Sequence, residues 1–91
     1  MFEIKTTNQF EKEVDLCWKR GYDMHLLYNA MKILSETGSL PASYKPHKLK
    51  GKYTGQWEAH LQPDWLLIWR KHNNTLFLTL TATGTHSDLF D

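Results

Sequence analysis

The sequence predicts an α+β fold: a small antiparallel sheet in the order β-α-α-β-β-β, with an N-terminal helical hairpin packed on one face. Three observations predict it. Two amphipathic helical stripes follow one another between residues 8 and 38. A continuous apolar run of strand length stands at Trp65-Leu66-Leu67-Ile68-Trp69. Beyond it, apolar and polar residues alternate from Thr75 to Thr83.

Phe2-Glu3-Ile4-Lys5 is a short first strand. Asn8 is the expected N-cap of the first helix, with Glu11 three residues on in capping-box position. Phe10, Val14, Cys17 and Trp18 then recur on one helical face, and Gly21 ends the helix as the residue that tolerates a left-handed backbone. Asp23 caps a second helix with the stripe Met24, Leu27, Tyr28, Met31 and Leu34, which Gly38 ends. Only Tyr22 separates stop from cap, so the helices should fold back on each other. From Gly38 to Gln56 the breakers Pro41, Pro46, Gly51 and Gly55 leave an irregular stretch. Trp57 to Leu61 alternates as a strand and Gln62-Pro63 turns the chain. The run from Trp65 to Trp69 then reads as a central strand. His72-Asn73-Asn74 is a hairpin turn, after which Leu76, Leu78 and Leu80 share one face. The segment Gly84-Thr85-His86-Ser87-Asp88-Leu89-Phe90 is too short for an independent helix.

At 91 residues this is one domain, residues 1–91, with a small core. A single cysteine, Cys17, excludes an internal disulfide or a multi-thiolate metal site and suits the reducing cytoplasm. No apolar run approaches the roughly 20 residues that span a bilayer, and no signal peptide is evident. Net charge is only +1, yet it is divided unevenly. Up to Ser43, five basic residues face six acidic ones; after it, six face four. The segment Tyr44-Lys45-Pro46-His47-Lys48-Leu49-Lys50-Gly51-Lys52-Tyr53 holds four lysines, one histidine and no acid. Such a cluster either is a solvated loop or holds phosphates.

Four ionisable residues stand out as candidates: His47, His60, Asp64 and His86. A meander puts His60 and Asp64 on either side of one tight turn and brings His86 to the same end of the sheet. His47 enters from the far end and joins them only through a fold-back. His25, on a helix flank, and His72, in a turn, are expected to be structural. Several imidazoles with a carboxylate and lysines suit acid–base cleavage of RNA through its own 2′-hydroxyl. That reaction needs no metal, because the nucleophile is intramolecular. Trp65 and Phe90, read as exposed, would stack on unpaired bases. The same residues could instead ligate zinc, although their spacing matches no common zinc motif, or they could be inert surface groups.

Three segments in order carry a family resemblance: Tyr44-Lys45-Pro46-His47-Lys48-Leu49-Lys50-Gly51, Ala59-His60-Leu61-Gln62-Pro63-Asp64-Trp65-Leu66-Leu67-Ile68 and Thr83-Gly84-Thr85-His86-Ser87-Asp88-Leu89-Phe90. In these the chain resembles the YafQ-type toxins of the RelE superfamily, from bacterial type II toxin–antitoxin modules. The resemblance implies a RelE-like fold and an mRNA endoribonuclease that works in the ribosomal A site without a cofactor. It further implies neutralisation by a cognate antitoxin protein. It assigns His47, His60, Asp64 and His86 to catalysis. His86 would be the general acid, Asp64 or His47 the base, and His60 the group orienting the phosphate. Lys45, Lys48, Lys50, Lys52, Trp65 and Phe90 would support RNA binding. One position departs from the family: an arginine usually precedes the Thr-Gly-Thr-His segment, and Ala82 stands there. Alanine cannot make the bidentate phosphate contact of an arginine. An attenuated nuclease, natural or the result of one substitution, and a homologue that mainly binds antitoxin or ribosome are the two readings of that change.

Overall fold

Thr7, one residue before the predicted Asn8, starts the first helix: its hydroxyl accepts from Phe10 N–H at 3.0 Å. The computed structural model describes residues 1–90. Strand β1 (Glu3–Thr6) leads into α1 (Asn8–Lys19). Glu11 does not close a capping box; its carboxylate accepts instead from the Thr6 hydroxyl. Gly21, at φ +81°, ends α1 as expected: its N–H donates to the Trp18 carbonyl and that of Tyr22 to the Cys17 carbonyl. Asp23 accepts from His25 N–H to cap α2 (Met24–Thr37), and Gly38, at φ +77°, ends it.

Two one-turn 3₁₀ segments, Ala42–Tyr44 and Gly51–Tyr53, bracket a two-residue strand β2 (His47–Lys48). Strands β3 (Trp57–Gln62), β4 (Trp65–Lys71) and β5 (Phe77–Gly84) form the meander, and α3 (His86–Phe90) ends the described chain. The sheet order is β1-β5-β4-β3-β2. Every pairing is antiparallel except that of β1 with β5, which is parallel, so the sheet is mixed rather than antiparallel. Pairing direction depends on the whole connection between two strands, and no local pattern encodes it. Leu76 lies before β5 and is 69% exposed, leaving Leu78 and Leu80 to face the core.

Each face of the sheet carries its own core. Phe10, Cys17, Met24, Leu27, Ala30 and Leu34 from the two helices bury Ala59, Leu67, Trp69, Leu78 and Leu80. On the other face Leu66, Ile68, Ala82 and Leu89 form a smaller cluster beneath Leu49 and Tyr53. A register shift divides the two sets. Ile68 pairs with Ala82 but Trp69 pairs with Leu80, so Thr81 is an extra residue in β5. Ala82 therefore does not continue the Leu78–Leu80 face, as simple alternation predicts; it faces the opposite side and is 2% exposed.

Trp65 also departs from expectation. It is 3% exposed, packs 4.8 Å from the Tyr22 ring on the helical side, and donates its indole N–H to the Thr83 hydroxyl at 2.9 Å. A residue so enclosed has no face free for a base. Trp65→Ala should therefore cost about 3–5 kcal/mol of stability, read from the urea midpoint; a base-stacking tryptophan would leave that midpoint almost unmoved.

Candidate active site

The face of the sheet opposite α1 and α2 gathers all four candidate ionisable residues. β2 provides the fold-back that brings His47 in. It runs antiparallel to β3 with His47 opposite Glu58, and facing residues in such a pair project to the same side. Lys45, at φ +52°, and Pro46 make the turn into β2. The Lys45 carbonyl stands 3.1 Å from His47 Nδ1, and Glu58 Oε1 stands 3.2 Å from Nε2. Both His47 nitrogens thus face acceptors. Glu58 is only 5% exposed, a buried carboxylate whose polar contact comes from the edge strand.

His60 follows Glu58 by two residues and so shares its face. Its Nδ1 is 3.4 Å from the Pro63 carbonyl, a contact that engages Nδ1 and not Nε2. The His60 ring lies 6.5 Å from that of His47 and 5.9 Å from that of His86. Three imidazoles therefore stand in a row along this face.

Asp64 and His86 are the tightest pair. Asp64 Oδ1 accepts from the His86 backbone N–H at 2.9 Å and lies 2.6 Å from His86 Nδ1. The backbone N–H first, and the ring second, hold the Asp64 carboxyl below its ordinary value of 3.8. A carboxylate on Nδ1 sets the ring's orientation and leaves Nε2 for a substrate. Phe90, on the same short helix, is 43% exposed; its ring sits 6.4 Å from His86 and edge-on to Tyr53 at 5.4 Å.

The basic segment divides between the two faces. Lys45 borders the same shallow depression as His60, and the Lys52 ammonium lies 5.3 Å over Tyr53, beside Phe90. Lys50 is exposed ahead of the second 3₁₀ turn. Lys48, by contrast, pairs with Trp57 and sends its ammonium 5.7 Å over that indole, toward the helical side. The exposed His25 lies apart on α2, and His72 Nε2 is 3.1 Å from the Thr79 hydroxyl. Among the described residues, no three His, Cys, Asp or Glu side chains converge on a point that could hold a metal.

Glu58 and Tyr53 were not among the candidates, though the alternation that places His60 on this face places Glu58 there as well. Equally overlooked is the Thr85-x-x-Asp88 capping pattern that starts α3. Thr85 Oγ1 accepts from Asp88 N–H at 3.0 Å, and Asp88 accepts from Thr85 N–H at 2.9 Å.

The family model for YafQ, a bacterial toxin of type II toxin–antitoxin systems, matches residues 2–91. The chain belongs to the YafQ family of bacterial toxins. It is 40% identical over 89 residues to the mRNA interferase toxin YafQ of Escherichia coli K12, covering 97% of this chain and 95% of that one. The crystal structure of YafQ from E. coli BL21(DE3) matches this fold with a TM-score of 0.90 at 38% identity, covering all of both chains. A chain of the E. coli DinJ–YafQ toxin–antitoxin complex matches with a TM-score of 0.87 at 40% identity, over 99% and 98% of the two chains. The mixed α+β architecture expected for a YafQ-type toxin is thus present throughout.

The Asp64–His86 pair can be tested in this YafQ-family chain without substrate. Because the folded-state value of Asp64 lies below its unfolded one, its contribution to stability is present above the unfolded value. It is lost as pH falls through the folded value. Carboxyl-carbon NMR should place the Asp64 midpoint below 3.8, and His86→Ala should move it up toward that value. A midpoint that stays put in the variant would show that the backbone N–H, which alanine keeps, holds the carboxyl down without the ring.

Proposed function

We propose that this YafQ-family chain is a ribosome-dependent mRNA endoribonuclease, the toxin of a type II toxin–antitoxin pair, acting in the cytoplasm. The observation that carries the reading is the row of three imidazoles flanked by Glu58 and Asp64 on one open face. The naming of E. coli relatives as mRNA interferases supports the substrate, and the DinJ–YafQ complex supports a cognate antitoxin as partner.

In this reading the RNA 2′-hydroxyl attacks the adjacent phosphate, the 5′-oxygen leaves, and a 2′,3′-cyclic phosphate remains. His86 protonates the leaving oxygen through Nε2, with Asp64 on Nδ1 stabilising the charged ring before transfer. Asp64 already accepts two hydrogen bonds from His86 and is held acidic, which makes it a poor base at neutral pH. His47 has acceptors on both nitrogens and suits a cation that neutralises the phosphate. His60, with Nδ1 rather than Nε2 on the Pro63 carbonyl, suits the base. Lys45, Lys50 and Lys52 add longer-range attraction for the RNA backbone, and Phe90 offers the exposed stacking ring. No metal is required, because substrate supplies its own nucleophile.

The position of Ala82 favours a second reading, a weakened nuclease that acts mainly by binding its antitoxin or the ribosome. Its Cβ lies on the site face beside Leu66, Ile68 and Leu89. An arginine there would run its apolar stem along that cluster and carry its charge toward the phosphate.

Primer extension on mRNA from a reconstituted translation system should show discrete, codon-phased cuts that persist in a zinc-selective chelator that leaves the ribosomal magnesium in place. The cuts should fall at least 100-fold in His86→Ala, in line with the usual size of acid–base contributions. Loss of the cuts in that chelator would overturn the metal-free mechanism; their absence from the parent chain would favour the binding reading. Ala82→Arg should raise cleavage and deepen growth arrest on induction, and unchanged toxicity would remove position 82 from the reaction.

A further inference from the structure

We infer that Arg20, on the helical scaffold, is a positioning residue for His86, acting by clamping Asp88 and so fixing the short helix that presents the ring. The inference rests on the proposed role of His86 and extends it to a residue on the other side of the molecule's sequence.

A helix of five residues does not persist alone in water, since nucleation costs more than one turn returns. α3 stands because its surroundings hold it. Leu89 is 2% exposed against Leu66, Ile68 and Ala82, and the Tyr53 hydroxyl donates to the Leu89 carbonyl at 3.3 Å. These contacts secure the far end. The near end, where His86 sits, is held by Asp64 on the His86 N–H and by Asp88 on the opening turn. That carboxylate receives the Thr85 N–H and also both arms of the Arg20 guanidinium, Nη1 at 2.6 Å and Nη2 at 3.0 Å. The two-pronged geometry fixes direction as well as distance. Arg20 holds Asp88 well below the usual carboxylate range, so the pair stays charged at any working pH.

Arg20 is itself well anchored. It caps the C-terminus of α1, between Lys19 and the left-handed Gly21, and its N–H donates to the Leu16 carbonyl. The clamp therefore ties α1, a helix on one face of the sheet, to a helix that serves the other. Gly84 fits the same arrangement: a Cβ there would approach Asp88 Oδ2 to 2.8 Å, so only glycine lets the carboxylate lie this close to β5.

With both arms on Asp88, Arg20 is not free to bind RNA. Its effect reaches the reaction through the placement of His86. Misplacing a reacting group by about 1 Å can cost about 100-fold in rate, so release of the clamp should lower turnover and leave affinity intact.

The experiment compares Arg20→Ala, Arg20→Lys, Asp88→Ala and the Arg20→Ala/Asp88→Ala double variant in full-length protein on programmed ribosomes. Arg20→Ala and Asp88→Ala should each lower kcat about 10- to 100-fold with KM unchanged. The double variant should be no worse than Asp88→Ala, because both changes break one device. Arg20→Lys, which keeps the charge but loses the fork, should fall between. Hydrogen exchange without RNA should show residues 86–90 opening about tenfold faster in Arg20→Ala while β4 stays protected, confirming that the variant is folded. A raised KM at unchanged kcat, multiplying losses in the double variant, or unchanged exchange at 86–90 would overturn the clamp. If the parent chain cuts no RNA, the proposed nuclease reading fails, and the exchange measurement still decides the clamp by itself.

Discussion

The extra residue at Thr81 is the constraint on which the two-sided architecture depends. β5 must supply apolar groups to both faces: Leu78 and Leu80 to the helical core, and Ala82 to the cluster beneath α3. Positions of equal parity in an unbroken strand face one way. By leaving Thr81 without a partner on β4, the chain reverses parity between Leu80 and Ala82. The hydroxyl of Thr81 bonds the Gln56 side chain and lies 3.2 Å from the Ile68 carbonyl, so the bulged residue is tied down. Thr83 then meets Trp65 on the helical side, and the Gly84 turn delivers His86 beside Asp64. Bulges near sites commonly re-aim side chains in this manner.

The electrostatics of the site face follow from two carboxylates in unlike settings. Glu58 is buried and paired with His47, whereas Asp64 lies in the open and is paired with His86. Between them His60 has a backbone carbonyl as its polar contact. Chemically similar rings are thereby placed in three different environments. The lysines contribute less than their number suggests. Lys48 turns to the helical side, so the ionisable groups along the middle of this face are imidazoles and carboxylates.

Local signals in the sequence were sound where the physics is local. Gly21, Asp23 and Gly38 end and start helices as their chemistry requires, and the unbroken run from Trp65 to Trp69 is the buried central strand. The grouping of His60, Asp64 and His86 followed from meander topology alone. What stayed hidden has long-range causes. The parallel partnership of β1 with β5 leaves no trace in either strand's pattern, and the two residues of β2 are too few to show a period. Trp65 reads as exposed because nothing nearby in sequence reveals Tyr22 above it or Thr83 beside it. Ala82 escapes simple alternation because a one-residue bulge has no compositional mark when the extra residue is a threonine.

The pairing of Thr6 with Leu80 carries a consequence for assembly. The sheet joins the first strand in sequence to the last, so the largest chain loop must close before β5 has both neighbours, and such closures are slow and entropically costly. His86 emerges directly from that strand. β1 lies beyond β5, on the side away from β4, β3 and β2, so the closure seals the far edge of the strand while the three imidazoles stand to its other side. The start of the chain is thereby tied to the strand from which the last of the three rings emerges, so loosening of the N-terminus reaches that strand directly.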